Sequence, residues 1–183
     1  MAANDVIGAI LEDHAEIKQM MTKVETATTS DAKEEAFHSL VRKLAIHETA
    51  EEEVVHPLTR KAPDGEAVTK ELLQEEDQGK KVLAELEKMD VNDSEFGVKF
   101  EKLRRDVLHH AEEEEQQEHP RLQASVDDGK LRDLTKVFRA AEQTAPTHAH
   151  KAAPESATGN MVAGPLVAIA DRARDAIRSA MKH

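Results

Sequence analysis

The sequence predicts an all-α protein, an up-down-up-down four-helix bundle with a C-terminal helical extension. Three observations lead there. Charged residues make up 34% of the chain, while Tyr and Trp are absent and only 4 Phe occur, so the aromatic and β-branched density that strands pack with is missing. Gly and Pro number only 7 and 6 in 183 residues, enough to punctuate helices but not to build loops throughout. Apolar residues recur in steps of three and four along successive stretches, the period of a helix facing a core. That length suits one bundle-sized domain with extensions.

The first helix is expected from an N-cap at Asn4 or Asp5 to about Thr26, with the stripe Ile7, Ile10, His14, Ile17, Met21, Val24. A polar break at Thr28 to Asp31 precedes the second, whose stripe reads Phe37, Leu40, Leu44, His47, Glu51, Val54, Leu58. Ala62-Pro63-Asp64-Gly65 supplies residues suited to a tight reversal. The third helix covers about 66–89. A fourth follows Asn92-Asp93-Ser94, with Phe96, Phe100, Leu103, Val107, His110 and Glu114 on one face. Together, residues 1–125 form the bundle. Residues 126–143 read as an additional helix through Leu131, Leu134, Val137, Phe138 and Ala141, and 144–164 as a flexible linker rich in Ala, Thr, Pro and His. Residues 165–183 form an amphipathic basic helix with Arg172, Arg174, Arg178 and Lys182, suited to docking on the acidic bundle or on another subunit.

Composition excludes several function classes. A formal charge of −12 disfavours nucleic acid and anionic membranes as partners. With no Cys there is no disulfide, thiol nucleophile, zinc–thiolate site or iron–sulfur cluster. No run approaches the roughly 20 apolar residues that span a bilayer, and the N-terminus lacks a basic leader region, so a cytoplasmic location is expected.

The informative feature is a doubled pattern. His47-x3-Glu51-x4-His56-Pro57 recurs 63 residues later as His110-x3-Glu114-x4-His119-Pro120. An imidazole and a carboxylate at i and i+4 share one helix face. His14, His47, Glu51, His110 and Glu114 therefore occupy stripe positions that call for hydrophobes. A buried unpaired carboxylate costs several kcal/mol, so five such groups need a cation pair or, failing that, mutual hydrogen bonding. Bundles hold metal pairs in this way, with a His and a Glu from each of two helices.

The third helix lacks His. Superposing it on the first by periodicity matches Glu76 to His14, with Asp77 as the alternative. Extrapolating 9 residues beyond His47 and His110 turns His56 and His119 about 180° away from the site. Both are expected in packing or capping roles. Glu48 lies off the stripe and is expected in solvent, with approach to a metal beside His47 as the alternative. His109 points about 100° from His110, although a register shift would make it the ligand instead. His38, His148, His150 and His183 are expected in solvent, and Met20 and Met21 in the core.

These motifs, with Asp13-His14 on the first helix, resemble the hemerythrin-like family in its bacterial His-His-Glu cation-binding form, over roughly residues 4–125. The resemblance implies a non-haem centre of two iron ions, oxo- or carboxylate-bridged. His14, His47 and His110 would be imidazole ligands, and Glu51 and Glu114 would bridge or cap the irons. Related domains place a His on the third helix where this chain offers Glu76 or Asp77. The implied set is then three imidazoles and three carboxylates, poorer in His than the oxygen carriers. Added carboxylates favour ferric over ferrous iron. The expected activity is therefore catalase- or peroxidase-like, with hydrogen peroxide, dioxygen or nitric oxide as the small-molecule partner. Non-catalytic iron or dioxygen binding, storage or sensing is the alternative, and a homo-oligomer or a partner docked through the C-terminal helix is compatible with both.

Overall fold

The computed structural model describes residues 4–145. Helix α1 spans Val6–Thr26, α2 Ser30–Val54, the short α3 His56–Thr59, α4 Gly65–Leu86, α5 Ser94–Glu113, α6 His119–Ser125 and α7 Asp128–Thr144; a π-helical segment, Glu114–Glu118, joins α5 to α6. No strand occurs among the described residues. The linker and basic helix expected at 144–164 and 165–183 lie almost wholly outside them.

Local chemistry explains the boundaries. Asp5 caps α1 by accepting from the Gly8 N–H at 3.0 Å, and Thr29 caps α2 by accepting from Ala32 N–H at 3.2 Å. Asp127 does the same for α7 with Lys130 N–H at 3.0 Å. Each cap satisfies a donor that the first helical turn leaves unpaired. Asp64 closes the reversal before α4 in the left-handed region, at φ 58°. Beside it the chain passes so close to α3 that a Cβ on Gly65 would lie 1.8 Å from the Thr59 carbonyl oxygen. Only glycine fits there.

Helices α1, α2, α4 and α5 make the four-helix bundle, and α7 packs along α1 and α2. The core is split in two. One apolar cluster joins Val6, Ile10, Val54, Leu58, Leu122, Leu134 and Phe138. The other joins Ile17, Met21, Phe37, Leu40, Leu83, Phe96, Phe100 and Leu103, with the Phe37 ring edge-on to Phe96 at 5.2 Å. Between them, where the stripes of α1, α2, α4 and α5 carry His and Glu, lies a buried polar layer.

Candidate metal centre

His14, His47, Glu51 and Glu114 each present one donor atom to a common point, all within 4.8 Å of one another. Glu48, Glu76 and His110 form a second group by the same measure. Glu114 faces both groups, with Oε2 3.1 Å from His14 Nε2 and Oε1 3.3 Å from His110 Nε2. Across the first group His47 Nε2 lies 3.2 Å from Glu51 Oε2. The i,i+4 pairs of α2 and α5 thus meet face to face, with Glu51 and Glu114 fully buried.

These short approaches are not aligned as hydrogen bonds. His14 Nε2, His110 Nε2 and both oxygens of Glu51 and of Glu114 have no hydrogen-bond partner. The opposite ring nitrogens do face acceptors. His14 Nδ1 donates to Glu115 Oε1 at 3.0 Å, and His110 Nδ1 to Glu75 Oε2 at 3.0 Å. His47 Nδ1 lies 3.5 Å from Asp13 Oδ2, a charge contact longer than a hydrogen bond, and neither atom has another partner. Carboxylates behind Nδ1 leave each Nε2 lone pair aimed inward, the arrangement of imidazoles that bind a metal. A donor set of imidazole nitrogens and unpartnered carboxylates suits two cations sharing Glu114.

The electrostatics are those of buried acids and imidazoles crowded into one layer. Burial raises the Glu51 carboxyl well above its ordinary pKa, and the Glu114 charge adds to the rise. Burial also raises Glu48, helped by Glu76. Glu114 goes the other way. Burial opposes its charge, but His110 and His14 together hold it well below the usual range. Burial likewise opposes charge on His14 and His110, yet Glu114 raises both. At His47 burial wins and the pKa falls despite Asp13.

The residues expected at the centre are brought together: His14, His47, Glu51 and Glu114 in one group, Glu76 and His110 in the other. On α4, Glu76 is buried, while Asp77 turns outward to Lys81 at 2.6 Å. His110 is buried and His109 exposed, so the register shift does not occur. Three expectations fail. Glu48 is not a solvent group: its carboxylate joins the second group, so the alternative, approach to a metal site, is the one the geometry favours. His56 does not face away. It is 2% exposed, with Nδ1 2.8 Å from Glu118 Oε1 and Nε2 2.8 Å from Glu76 Oε1. Burial resists charge on His56, but these two carboxylates raise its pKa to about 10. His119 is buried too, its ring stacked 6.3 Å from that of His14.

The reason is common to both histidines. Extrapolating at 100° per residue assumes an unbroken α-helix. α2 instead stops at Val54 and restarts at His56. On the other arm the π segment Glu114–Glu118 turns less per residue, so His119 swings back inward and Glu118 is buried beside it. Pro57 and Pro120 carried a readable signal, because a proline inside a helical run disrupts the hydrogen bonds that keep rotation regular. Asp13 was also missed as a buried group: Arg139 Nη1 and Lys43 Nζ reach its Oδ1 at 2.8 and 2.9 Å.

Known proteins resemble this chain in sequence and in fold. The sequence profile of the hemerythrin HHE cation binding domain matches residues 5–122. An uncharacterised hemerythrin-like protein of Schizosaccharomyces pombe is 27% identical over 169 residues, covering 91% of this chain and 83% of its own. Among solved structures, a hemerythrin HHE cation binding domain-containing protein from Mycobacterium kansasii superposes with a TM-score of 0.69 at 20% identity, over 76% of this chain and 85% of that one.

Proposed function

The chain belongs to the hemerythrin HHE cation-binding family, and from that premise we propose that it holds two non-haem iron ions and uses them to consume hydrogen peroxide, dioxygen or nitric oxide in cytoplasmic stress defence. The observation that carries the pairing is Glu114, whose two oxygens face two separate donor groups. His14, His47 and Glu51 would hold one ion with Glu114; His110, Glu48 and Glu76 would hold the other.

When bound, the iron pair supplies Lewis acidity and reversible electron transfer. The chain's own residues do the rest. Glu115 and Glu75 fix two imidazole orientations through hydrogen bonds to Nδ1, and the Asp13 carboxylate faces Nδ1 of the third at 3.5 Å. Glu48 and Glu51, whose carboxyls burial keeps protonated, give up those protons as the cations enter. The two apolar clusters above and below keep bulk water from the layer. Four carboxylates against three imidazoles make the donor set hard and anionic, which favours ferric iron and peroxide chemistry over reversible dioxygen carriage.

The test is a metal count and an absorption spectrum on protein made with ample iron, followed by oxygen evolution from added peroxide. With no Tyr or Trp in the chain, the near ultraviolet is left clear for bands from iron. Two irons per chain and peroxide turnover that His110→Ala abolishes are expected. Equal turnover by that variant overturns the reading. Two bound irons without turnover assign the chain to iron storage or sensing.

A further inference from the structure

We propose that α7 is part of the metal centre. Arg139, acting through Asp13, holds the His47 ring at the angle that aims Nε2 at the first ion. The proposal rests on His14, His47, Glu51 and Glu114 being cation ligands. It adds a positioning residue from a helix that begins at Asp128, past the end of the matched domain at residue 122.

The three inward imidazoles are each backed by a carboxylate, but not in the same way. Glu115 and Glu75 keep 44% and 34% of their side-chain surface in solvent, so water supports their charge. The Asp13 side chain keeps only 3%. A carboxylate taken out of water to that degree needs cations from the protein, and Asp13 has two, both on one oxygen. Arg139 Nη1 lies 2.8 Å and Lys43 Nζ 2.9 Å from Oδ1, which leaves Oδ2 without a hydrogen bond and facing His47 Nδ1 at 3.5 Å.

Arg139 is itself fixed on several sides. Nη2 donates to the Ala9 carbonyl and to Glu12 Oε2, each at 3.3 Å, and Nη1 also donates to Glu142 Oε2 at 2.7 Å. The rigid guanidinium fork thereby ties α7 to α1 at the level of Asp13. The preceding residue acts on the same imidazole directly. The Phe138 ring, fully buried, meets the His47 ring edge-on with centroids 6.3 Å apart. Two consecutive residues of α7 thus restrain His47, one through packing and one through a carboxylate.

The test compares full-length wild type with Arg139→Met, which keeps a long apolar stem without the fork, and with Arg139→Lys, which restores a cation. In metal-free protein, nitrogen NMR of the His47 side chain reads the ring directly. Wild type and Arg139→Lys are expected to hold the proton on Nδ1, and Arg139→Met to mix tautomers. In Co2+ titrations against a chelating dye, Arg139→Met is expected to weaken the first ion by about 10- to 100-fold, the usual cost of losing an outer-shell partner. The second ion is expected to be unaffected, and Arg139→Lys to recover the first. An Arg139→Met protein with the wild-type tautomer and affinity overturns the proposal. So does one that loses both ions equally in step with a lower metal-free melting temperature. Wild type that takes up no Co2+ would instead sink the reading of the centre itself, and this proposal with it.

Discussion

The half of the centre around His14 and the half around His110 grow from the same HxxxE motif, yet their carboxylates are balanced differently. Around His14, neither oxygen of Glu51 meets a hydrogen-bond donor. Around His110, Glu76 is held by His56 on one oxygen at 2.8 Å and by Lys80 on the other at 3.0 Å. Burial would raise the Glu76 pKa, but those two cations bring it down to about 2. Lys80 reaches on to Glu52 near the surface. Glu51 therefore has no cation of the protein's own beside it, while Glu76 already has two drawn from the chain.

Substitutions should split the two halves by sign. Glu76→Leu removes the carboxylate that His56 and Lys80 share, leaving His56 only Glu118 and Lys80 only Glu52, and breaking such a buried pair costs about 3–5 kcal/mol. Metal-free Glu76→Leu should therefore melt well below wild type in a calorimetric scan. Glu51→Leu removes a carboxylate that nothing in the protein satisfies. An unsatisfied buried polar group costs about 1–3 kcal/mol, so the metal-free variant with a packed hydrophobe there should melt higher and yet bind one ion fewer by metal analysis. A shift of the same sign in both variants would break the contrast.

Gly65→Ala probes the junction that sets α3 against α4, and so His56 against Glu76. Its Cβ cannot coexist with the Thr59 carbonyl. Backbone displacement should cost about 1–3 kcal/mol, as overpacking does, and weaken the second ion more than the first in cation titrations.

The last contrast is in pH. The His56 pKa is raised in the folded state, so its contribution is complete below about 6.5 and is lost as pH rises toward about 10. Glu76 is depressed, so its contribution holds above about 4.5 and is lost as pH falls toward about 2. Melting temperatures of the metal-free protein should decline on the alkaline side, and His56→Phe should lessen that decline, leaving the part due to His14 and His110. Uptake of the first ion should weaken with acid in both proteins, because the proton on Glu51 competes with it.

Much of this was legible in the sequence. The stripes placed α1, α2, α4 and α5, because each buries one face against the bundle and apolar spacing records that directly. The same spacing ranked Glu76 above Asp77 and set His110 rather than His109 inward. What escaped lay where helices depart from regularity. The break at Val55 and the π segment after Glu113 alter rotation without changing residue spacing, so His56 and His119 were assigned to the wrong side. Glu48 escaped for another reason. A residue at the edge of a stripe is decided by what the opposing helix offers, here Glu76 and His110, and not by its own helix. Asp13 is buried because Arg139 reaches it from 126 residues away, a pairing that no local pattern encodes.

The division of the apolar interior into two plugs has a consequence for how the molecule comes apart. Each plug has its own aromatic anchor, Phe138 in one and Phe37 with Phe96 and Phe100 in the other, and between them run α1 and α2 and a charged waist. Cooperativity between the ends must cross that waist, and ions bound there would rivet them together. Stripped of ions, the barrel should open one end at a time, with amide protons at the two ends exchanging on separate clocks.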